Sequence, residues 1–548
     1  GLWFDPDKLL VDPYARRLDR RFVQDPRLAL PQGMGGDTAP LVPKAVVEPP
    51  RPAMRPQPPL FTPGGLIFEL NVRGFTMRQP EVPEAQRGTV AALAHPSVIA
   101  HLRRLRVSAV ELMPVVAWID ERHLPPLGLR NAWGYNPVAL GALDPGLCPG
   151  GPAELAAAVA ALREAGIGVI LDLVFNHTGE ADVAGPVLSL RGLDAPLYYA
   201  HPPGLPGVLN NDTGCGNTLA CWRPEVRALV LDTLRHLAGL GVDGFRFDLA
   251  PVLARGPDGF DPQADIFAEI AADPLLHDRV MIAEPWDVGP GGYRLGAFPP
   301  GWLEWNDRFR DDVRRFVRGD GGLGALATRL AGSADVFSGE ASRTVNFIAA
   351  HDGFTLRDLV SHARRHNLAN GEGGRDGHAD EVSWNEGAES ACDDPGVAAR
   401  RDADVRLLLA ILFASRGTIM LAAGDEFGRT QDGNNNAYAQ DEATTWLDWE
   451  GRDSGLEAFV AMLAELRAAH PGLAGPAFLE HAGLAGWAWL DLDGRPLDSA
   501  GWEAPAAPGL ELRLTLRDGS GVAVRIDRAA RTATIAALAG APKDLQPA

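Results

Sequence analysis

Eight short β-rich runs, most of them separated by helix-length segments, limit the folds that this chain can adopt. The runs are mainly apolar and lie at 66–72, 109–114, 169–174, 241–247, 280–283, 302–305, 345–349 and 418–422. Right-handed βα units repeated eight times close into a barrel rather than an open sheet. No GxGxxG or GxxxxGK(S/T) motif opens the intervening helices, which counts against a nucleotide-binding doubly wound sheet. The sequence therefore predicts an α/β fold built on a TIM (β/α)8 barrel.

Helices are predicted between these runs, at 95–105, 152–165 and 224–240, because each segment carries apolar residues on one helical face. Pro224 lies at the start of the third helix, where its missing N–H has no intrahelical partner to lose. Gly166 ends the second helix, and a predicted strand follows directly. Strand and helix thus alternate as the barrel requires.

Changes of composition at both ends of the barrel region predict three domains in the 548 residues. Residues 1–63 are irregular and then Pro-rich, which favours a stiff, extended connector. Residues 64–470 hold the predicted barrel. In residues 471–548, segments such as GWAWLDL, LELRLTLR and GVAVRID alternate apolar and polar residues with a period of two. That period predicts a small C-terminal antiparallel β domain.

The composition argues against several kinds of partner. A formal charge of −20 disfavours nucleic acid, whose phosphates attract clustered Lys and Arg. No run reaches the roughly 18 apolar residues of a membrane span, so no membrane association is expected. The few cysteines show no CxxC pair and no matching histidine spacing: Cys148, Cys215, Cys221 and Cys392. We therefore predict reduced cysteines in a cytoplasmic protein without a zinc site, although a chain that opens at Gly1 without Met leaves an upstream signal open. No metal site and no cofactor are assigned, and whether a calcium ion is bound is left open.

Four segments place polar residues directly beyond apolar runs, namely LDLVFNHT, DGFRFDLA, MIAEPW and TVNFIAAHDGF. The polar residues in question are Asp172, Asn176, His177, Arg246, Asp248, Glu284, His351 and Asp352. In a parallel barrel, residues at the carboxyl ends of the strands form the catalytic face. Three carboxylates that converge there supply the acid and the nucleophile of glycosidic cleavage. The segments therefore predict a glycoside-processing enzyme.

Asp248 is the predicted nucleophile. Arg246 projects from the same face of the strand, two residues earlier, and a guanidinium beside a carboxylate keeps that carboxylate ionised. Taken alone, this pair would be interpreted as a structural ion pair at a strand end. The presence of the other three segments favours the catalytic interpretation.

Glu284 is the predicted general acid, because the apolar strand end and the adjacent Trp286 desolvate its carboxyl group and favour the protonated form. Asp352 is expected to hydrogen-bond two sugar hydroxyls and to help distort the ring. His351 and His177 are donors suited to the same sugar. A lone histidine is more often a structural residue, so these two assignments depend on the carboxylates beside them.

Aromatic side chains are the other expected part of the site, because the apolar faces of sugars stack on them. The segment NAWGYNP offers Trp133 and Tyr135, and Trp286 is a third candidate. We favour a functional role for Tyr135 and leave Trp133 open between sugar binding and core packing. Asp172 lies inside its strand, and we expect it to support the nucleophile's face rather than to contact substrate.

These segments, in this order, resemble the α-amylase superfamily of retaining glycoside hydrolases and transferases. Further segments, among them KLLVDPYAR, WGYNPVAL, GCGNTL, NGEGGRDG and AGDEFGRTQDGNNNAY, are similar to bacterial glycogen-debranching enzymes of the isoamylase type, over about residues 8–449. The resemblance implies that Asp248 is the nucleophile, Glu284 the acid/base and Asp352 the third catalytic carboxylate. It also implies a subsite for the attacked sugar lined by Tyr135, Asp172, His177, Arg246 and His351.

The resemblance implies hydrolysis of α-1,6 branch linkages, with a branched α-glucan such as glycogen or phosphorylase limit dextrin as the partner. The resemblance also implies an N-terminal β-sandwich, of which LWFDPDKLLVDPY is expected to be the last strand; whether the rest was truncated or never present is left open. An α-glucan branching or transferring enzyme would share the three carboxylates and remains an alternative. A non-catalytic glucan-binding protein is a weaker alternative, because its mark would be lost carboxylates. The oligomeric state is left open.

Overall fold

The structure, a computed structural model, describes residues 3–48, 57–504, 507–517 and 519–538. Eight parallel strands close a barrel in the order β1-β8-β7-β6-β5-β4-β3-β2. The strands are β1 (Leu66–Leu70), β2 (Ala109–Leu112), β3 (Gly168–Leu173), β4 (Gly244–Phe247), β5 (Val280–Ala283), β6 (Trp302–Asn306), β7 (Thr344–Asn346) and β8 (Thr418–Ala422). Each lies in or within one residue of a predicted run, so the predicted barrel is confirmed.

Thirteen α-helices are described; those up to residue 474 accompany the barrel strands, and the last lies in the C-terminal part of the chain. They are α1 (Val72–Thr76), α2 (Pro96–Arg104), α3 (Pro152–Glu164), α4 (Leu190–Tyr198), α5 (Pro224–Ala238), α6 (Asp265–Ala272), α7 (Asp307–Arg318), α8 (Leu323–Leu330), α9 (Leu356–Leu359), α10 (Pro395–Ala414), α11 (Ser454–Ala469), α12 (Pro471–Ala474) and α13 (Ser499–Glu503). The three predicted helices correspond to α2, α3 and α5. In the described connection 284–301, between β5 and β6, there is no α-helix.

The inside of the barrel is layered. Because successive side chains of a strand point to opposite faces, every second residue faces the barrel axis. An apolar layer of such residues includes Ile67, Ala109, Ile170, Ile282, Leu303, Val345 and Met420. Two residues further along, the inward positions of β1 to β5 are polar, at Glu69, Glu111, Asp172, Arg246 and Glu284, whereas β6 and β7 place Trp305 and Phe347 at this level. Apolar side chains therefore fill the inside of the barrel toward the amino ends of the strands, and charged side chains lie toward their carboxyl ends.

The C-terminal sheet is an antiparallel meander in the order β9-β10-β11-β12. Its strands are β9 (Gly486–Leu490), β10 (Gly509–Thr515), β11 (Gly521–Asp527) and β12 (Thr532–Leu538). Alternate residues form a buried apolar face that includes Leu510, Leu512, Leu514, Val522, Val524 and Ile526. The predicted antiparallel unit is confirmed, and residues 539–548 lie outside the described part.

The N-terminal residues 3–48 differ from the expected remnant of a sandwich. No strand occurs in the described part of LWFDPDKLLVDPY; the segment is irregular. Pro6 and Pro13 lack the N–H that a ladder needs, and instead the segment and the residues after it pack an apolar side against a hairpin formed by Val116–Trp118 and Pro137–Leu143. Residues 49–56 of the Pro-rich connector lie outside the described part, and the division at 63 and 470 stays a prediction.

The described part of the chain contains no helix with the length and apolar character needed to cross a membrane. All four cysteines are free thiols; Cys148 and Cys221 are buried, whereas Cys215 and Cys392 are exposed.

Candidate active site

The predicted catalytic residues lie together at the carboxyl end of the barrel. Asp248 directly follows β4, Glu284 directly follows β5, and Asp352 lies six residues beyond the end of β7. The register of β3 and β4 pairs Asp172 with Arg246 across the two strands. Since all strands are parallel, their ends meet at one mouth, and segments far apart in the sequence contribute to one site.

Arg246 is the centre of this cluster. Its side chain is fully buried, and Nη1 lies 2.9 Å from both carboxylate oxygens of Asp172 and 3.1 Å from Oδ1 of Asp248. On its other side, Nη2 lies 3.2 Å from Oε1 of Glu284. The guanidinium also lies over the Trp305 ring, 4.4 Å from its centroid. One cation therefore brings three carboxylates to the same place at the mouth of the barrel.

Asp248 is the most accessible of the three, with 13 % of its side chain exposed. Nδ2 of Asn176 donates to Oδ2 of Asp248 at 2.7 Å and to its backbone carbonyl at 2.8 Å. The next residue, Leu249, has a positive φ of 41°, which is uncommon for a residue with a side chain. This turn aims the Leu249 N–H at Oε2 of Glu284, to which it donates at 2.6 Å.

Glu284 has the electrostatics of a general acid. Burial raises its pKa well above the ordinary value, and the nearby negative charges of Asp248 and Asp352 raise it further. Arg246 and the Leu249 N–H oppose this shift without reversing it. A carboxyl group with a raised pKa keeps its proton at neutral pH and can deliver it to a leaving oxygen.

Asp352 has the opposite character. Burial raises its pKa, but the hydrogen bond from His378 (3.0 Å) and the positive charges of His351, His378 and Arg310 outweigh burial and lower that pKa overall. Asp352 therefore stays ionised as a hydrogen-bond acceptor. His378 was not foreseen from the sequence, because it lies in a long loop with no periodic pattern.

Tyr135 and His351 form one wall of the site. Their rings stack with centroids 4.8 Å apart, and the Tyr135 hydroxyl donates to Oδ2 of Asp172 at 2.5 Å. His351 Nδ1 lies 2.7 Å from Oε1 of Glu69. Burial lowers the pKa of His351, but Glu69 more than compensates and raises it to about 9. The Trp133 ring meets His351 edge-on at 5.0 Å, so this indole packs against the wall.

His177 and Trp286 support the cluster from its edges. His177 is buried, and its ring nitrogens contact the Tyr135 carbonyl (2.9 Å) and Oδ1 of Asn176. Burial lowers the pKa of His177, so this ring is neutral and orients both neighbours. Trp286 is partly buried and packs against the apolar layer inside the barrel, two residues after Glu284.

Two further buried carboxyl groups complete the polar layer and were missed by the sequence analysis. Glu69 on β1 accepts the contact from His351, and Glu111 on β2 lies beside it in the strand register. Among the described residues, neither carboxylate oxygen of Glu111 has a hydrogen-bond partner, and burial raises its pKa well above the ordinary value. The available signal was an acidic residue at an inward position of an otherwise apolar strand.

A cleft of about 1010 Å³ opens beside the cluster and shares Tyr135 with it. The side chains that line it are mainly polar and aromatic, and include Glu121, His123, Asn131, Trp133, Asn136, Cys215, Glu372, Asp376 and Tyr438. Its size and mixture of hydrogen-bonding and aromatic groups suit an oligosaccharide rather than a compact metabolite.

A (β/α)8 barrel with this arrangement of carboxyl groups defines the class of glycoside hydrolases. No protein-family model matches the chain. The chain is 46% identical over 524 residues to the glycogen debranching enzyme of Serratia proteamaculans (strain 568), covering 92% of this chain and 78% of that protein. It is 45% identical over 531 residues to the glycogen debranching enzyme of Yersinia enterocolitica serotype O:8 / biotype 1B (strain NCTC 13174 / 8081), covering 94% and 80%. The chain belongs to the glycogen debranching enzyme family, as its motifs predicted.

A solved structure shows the same fold. Pullulanase type I from Bacillus subtilis str. 168, complexed with maltose, matches with a TM-score of 0.69 and 22% sequence identity, covering 94% of this chain and 68% of that one. The likeness supports the barrel and the C-terminal sheet.

Proposed function

We propose that this protein is a retaining glycoside hydrolase that cleaves the α-1,6 branch linkages of glycogen or of phosphorylase limit dextrin. The family assignment supports the linkage. The proposed reaction rests on one observation: the Arg246 guanidinium contacts both Asp248 and Glu284. A nucleophile and an acid held by one rigid group can reach the two sides of one glycosidic bond.

In the first step, a carboxylate oxygen of Asp248 attacks the anomeric carbon of the branch sugar. The bond from that carbon to the leaving O6 breaks, and Glu284 gives its proton to O6 as the electron pair departs. The branch sugar is then bound covalently to Asp248. The raised pKa of Glu284 supports this role, because the group starts the reaction protonated.

In the second step, a water molecule replaces the released chain. Glu284, now a carboxylate, removes a proton from this water as its oxygen bonds to the anomeric carbon and the bond to Asp248 breaks. Asp248 and Glu284 return to their initial protonation states. Release of a free reducing end distinguishes this hydrolysis from transfer, in which the hydroxyl of a second glucan takes the place of water.

The remaining residues are proposed to bind the attacked sugar. Asp352 accepts hydrogen bonds from its hydroxyls, and positively charged His351 donates to the same ring. Tyr135 offers its aromatic face, and Trp286 extends the apolar surface beside the acid. Asp172 and His177 support these side chains from below, so a branched α-glucan is the proposed partner. We also propose a cytoplasmic location, in which the few cysteines stay reduced.

Chain-length analysis of products tests the proposal, with glycogen and limit dextrin as substrates and pullulan as a control. A debranching hydrolase releases short linear chains and raises the number of reducing ends on both branched substrates. Constant reducing ends with redistributed chain lengths would instead indicate a transferring enzyme.

The matched variant for this test is Asp248→Asn, which keeps the size of the side chain and its contact with Asn176. We expect turnover to fall on the order of 10⁴-fold or more, with far-UV circular dichroism and glucan binding unchanged. Unchanged turnover would rule out Asp248 as the nucleophile.

A further inference from the structure

A second cluster of chemically capable side chains lies outside the proposed active site, in the connection between β7 and α10. His362, His366 and Glu389 each offer one ligand atom, and the three atoms lie within 4.8 Å of one another. His362 is buried, and the other two are partly buried. We propose that these residues form a binding site for one Zn²⁺ ion.

The spacing of the ligand atoms fits a tetrahedral metal. Oε1 of Glu389 lies 3.0 Å from Nε2 of His366 and 3.8 Å from Nδ1 of His362. Ligands at 2.0–2.1 Å from a tetrahedral Zn²⁺ are about 3.3 Å apart, so small side-chain movements would complete the geometry. Two imidazoles and one carboxylate are also a ligand set that Zn²⁺ uses, with a fourth position left for water.

Hydrogen bonds fix the orientation of the Glu389 carboxylate through one of its two oxygens. Its Oε2 accepts hydrogen bonds from the Ala363 N–H (2.9 Å) and from Nδ2 of Asn385 (2.8 Å). These bonds leave Oε1 facing the two imidazoles.

His362 lies next to a buried carboxylate. Its Nε2 is 3.6 Å from Oδ1 of Asp358, just beyond direct hydrogen-bond distance, while its Nδ1 is 3.8 Å from Oε1 of Glu389 and 3.5 Å from the Ser390 hydroxyl. Asp358 is itself buried and fixed, because it accepts from the Gln431 N–H (2.7 Å) and from the Thr430 hydroxyl. The His366 backbone is anchored through its N–H to the Gly433 carbonyl at 2.7 Å. The two imidazole rings meet edge-on with centroids 4.9 Å apart, and the His362 ring stacks on Phe354 at 5.9 Å, so packing restrains the rings.

A Zn²⁺ ion bound to this cluster would stabilise the loop between residues 362 and 389. Residues 362 and 389 bracket the loop that contains His378, the partner of Asp352. A bound ion would join the two ends of this loop and restrict its motion, because it stabilises the folded chain by mass action. The inference is independent of the proposed hydrolysis, since none of the three ligands belongs to the proposed catalytic cluster.

Zn²⁺ titration of the full chain tests the site after EDTA treatment and removal of EDTA, by calorimetry and by elemental analysis of the dialysed protein. We expect one Zn²⁺ per chain, and at least tenfold weaker binding in His366→Gln and in Glu389→Gln. The matched control is His481→Gln, which removes an exposed histidine elsewhere and should bind like the original protein. Equal stoichiometry and affinity in all four proteins, or no Zn²⁺ retained by the original protein, would overturn the proposal.

Co²⁺ provides a readout that needs no variant. In the original chain, Co²⁺ at this site should give the intense visible d–d absorption of a four-coordinate ion, and Zn²⁺ should displace it one for one. The melting temperature of the EDTA-treated chain should also rise when Zn²⁺ is added. An absorption spectrum identical to that of Co²⁺ in buffer would exclude an ordered site.

Discussion

At the scale of single residues, the environment around Arg246 explains why one neighbouring carboxyl group is protonated while another is ionised. Arg246 contacts Asp172, Asp248 and Glu284. Its single positive charge is therefore shared among three carboxyl groups. Burial then dominates at Glu284 and raises its pKa, whereas Asp352, further out, is held ionised by His378. Environment, rather than residue type, separates the acid from the other carboxylates.

Glu284→Gln tests the acid role. We expect turnover of glycogen to fall by about 10²–10⁴-fold, with a smaller loss on a glucosyl fluoride, whose leaving group needs little protonation. The original protein should lose activity as pH rises and Glu284 gives up its proton, and the variant should lack this alkaline limb. Turnover rates of the original protein and the variant, measured on both substrates as a function of pH, check the loss of activity and of the alkaline limb. An equal loss on the two substrates would contradict the assignment.

Glu69→Gln tests the origin of the positive charge on His351. Glu69 raises the pKa of His351 to about 9, so the pair stabilises the fold below the unfolded pKa of about 6.5 and progressively less as pH rises through 9. We expect the variant to lose about 1–3 kcal/mol of unfolding free energy at pH 7, and less at pH 10.

Two measurements check this prediction about Glu69. The His351 ring resonances in NMR should report a much lower pKa in the variant, because burial and the charge of Arg246 lower it and Asp352 alone still raises it. Urea unfolding at both pH values gives the free energies, with Glu480→Gln, at an exposed position, as the control. A His351 pKa that stays near 9 would show that another group supplies the charge.

At the scale of secondary-structure elements, the distance between β4 and β5 fixes the distance between Asp248 and Glu284. Gly244 allows that close approach: a Cβ placed on it would lie 2.1 Å from the Val280 carbonyl oxygen on β5. Its φ is not in the left-handed region, so the requirement for glycine here is steric. A backbone atom cannot move aside as a side chain can.

Gly244→Ala should therefore separate the two strands and the two proposed catalytic groups. We expect a loss of about 1–3 kcal/mol in unfolding free energy together with a lower kcat/KM on limit dextrin. The control is Gly324→Ala in α8, where an added Cβ meets nothing within 4 Å and alanine favours the helix. Equal stability and activity for both variants would mean that β4 and β5 are not this closely constrained.

At the scale of the whole molecule, an ion-pair network attaches the C-terminal sheet to the barrel. Arg531, just before β12, lies 2.6 Å from Oδ2 of Asp404 on α10 and 3.0 Å from Oε1 of Glu386. The indole Nε1 of Trp384 donates to the same oxygen of Asp404 at 2.8 Å. Since Asp404 is buried, removal of its cation leaves a desolvated charge.

Arg531→Gln should cost about 1–2 kcal/mol of unfolding free energy at pH 7, because the arginine itself is partly exposed to solvent. Burial already raises the pKa of Asp404, and loss of the arginine raises it further. The cost should therefore shrink as pH falls from 7 to 5 and Asp404 takes up a proton. Urea unfolding measures it, with the exposed pair partner Arg495→Gln as a control expected to change little. A pH-independent cost would contradict this account.

The sequence by itself determined the eight strands, the closed barrel and the separate antiparallel sheet. These features follow from local periodicity, since apolar side chains must alternate in strands and recur every three to four residues in helices. It also located Asp248 and Glu284, because a polar residue beyond an apolar strand must lie at the strand's end. The expected strand is not formed in the described part of the first residues, where the prolines interrupt a ladder and the apolar side chains pack against a hairpin.

Only the tertiary structure decided which side chains meet. His378 reaches Asp352, and Arg246 contacts three carboxyl groups. The two histidines of the loop face Glu389, which follows the nearer of them by 23 positions in the sequence. No periodic pattern encodes such contacts, because loops are positioned by long-range packing of the elements that they connect. Hydrophobic patterning is a local property that can be read from consecutive residues. The pKa values of a site, in contrast, depend on charges from distant segments that come together in a volume without water.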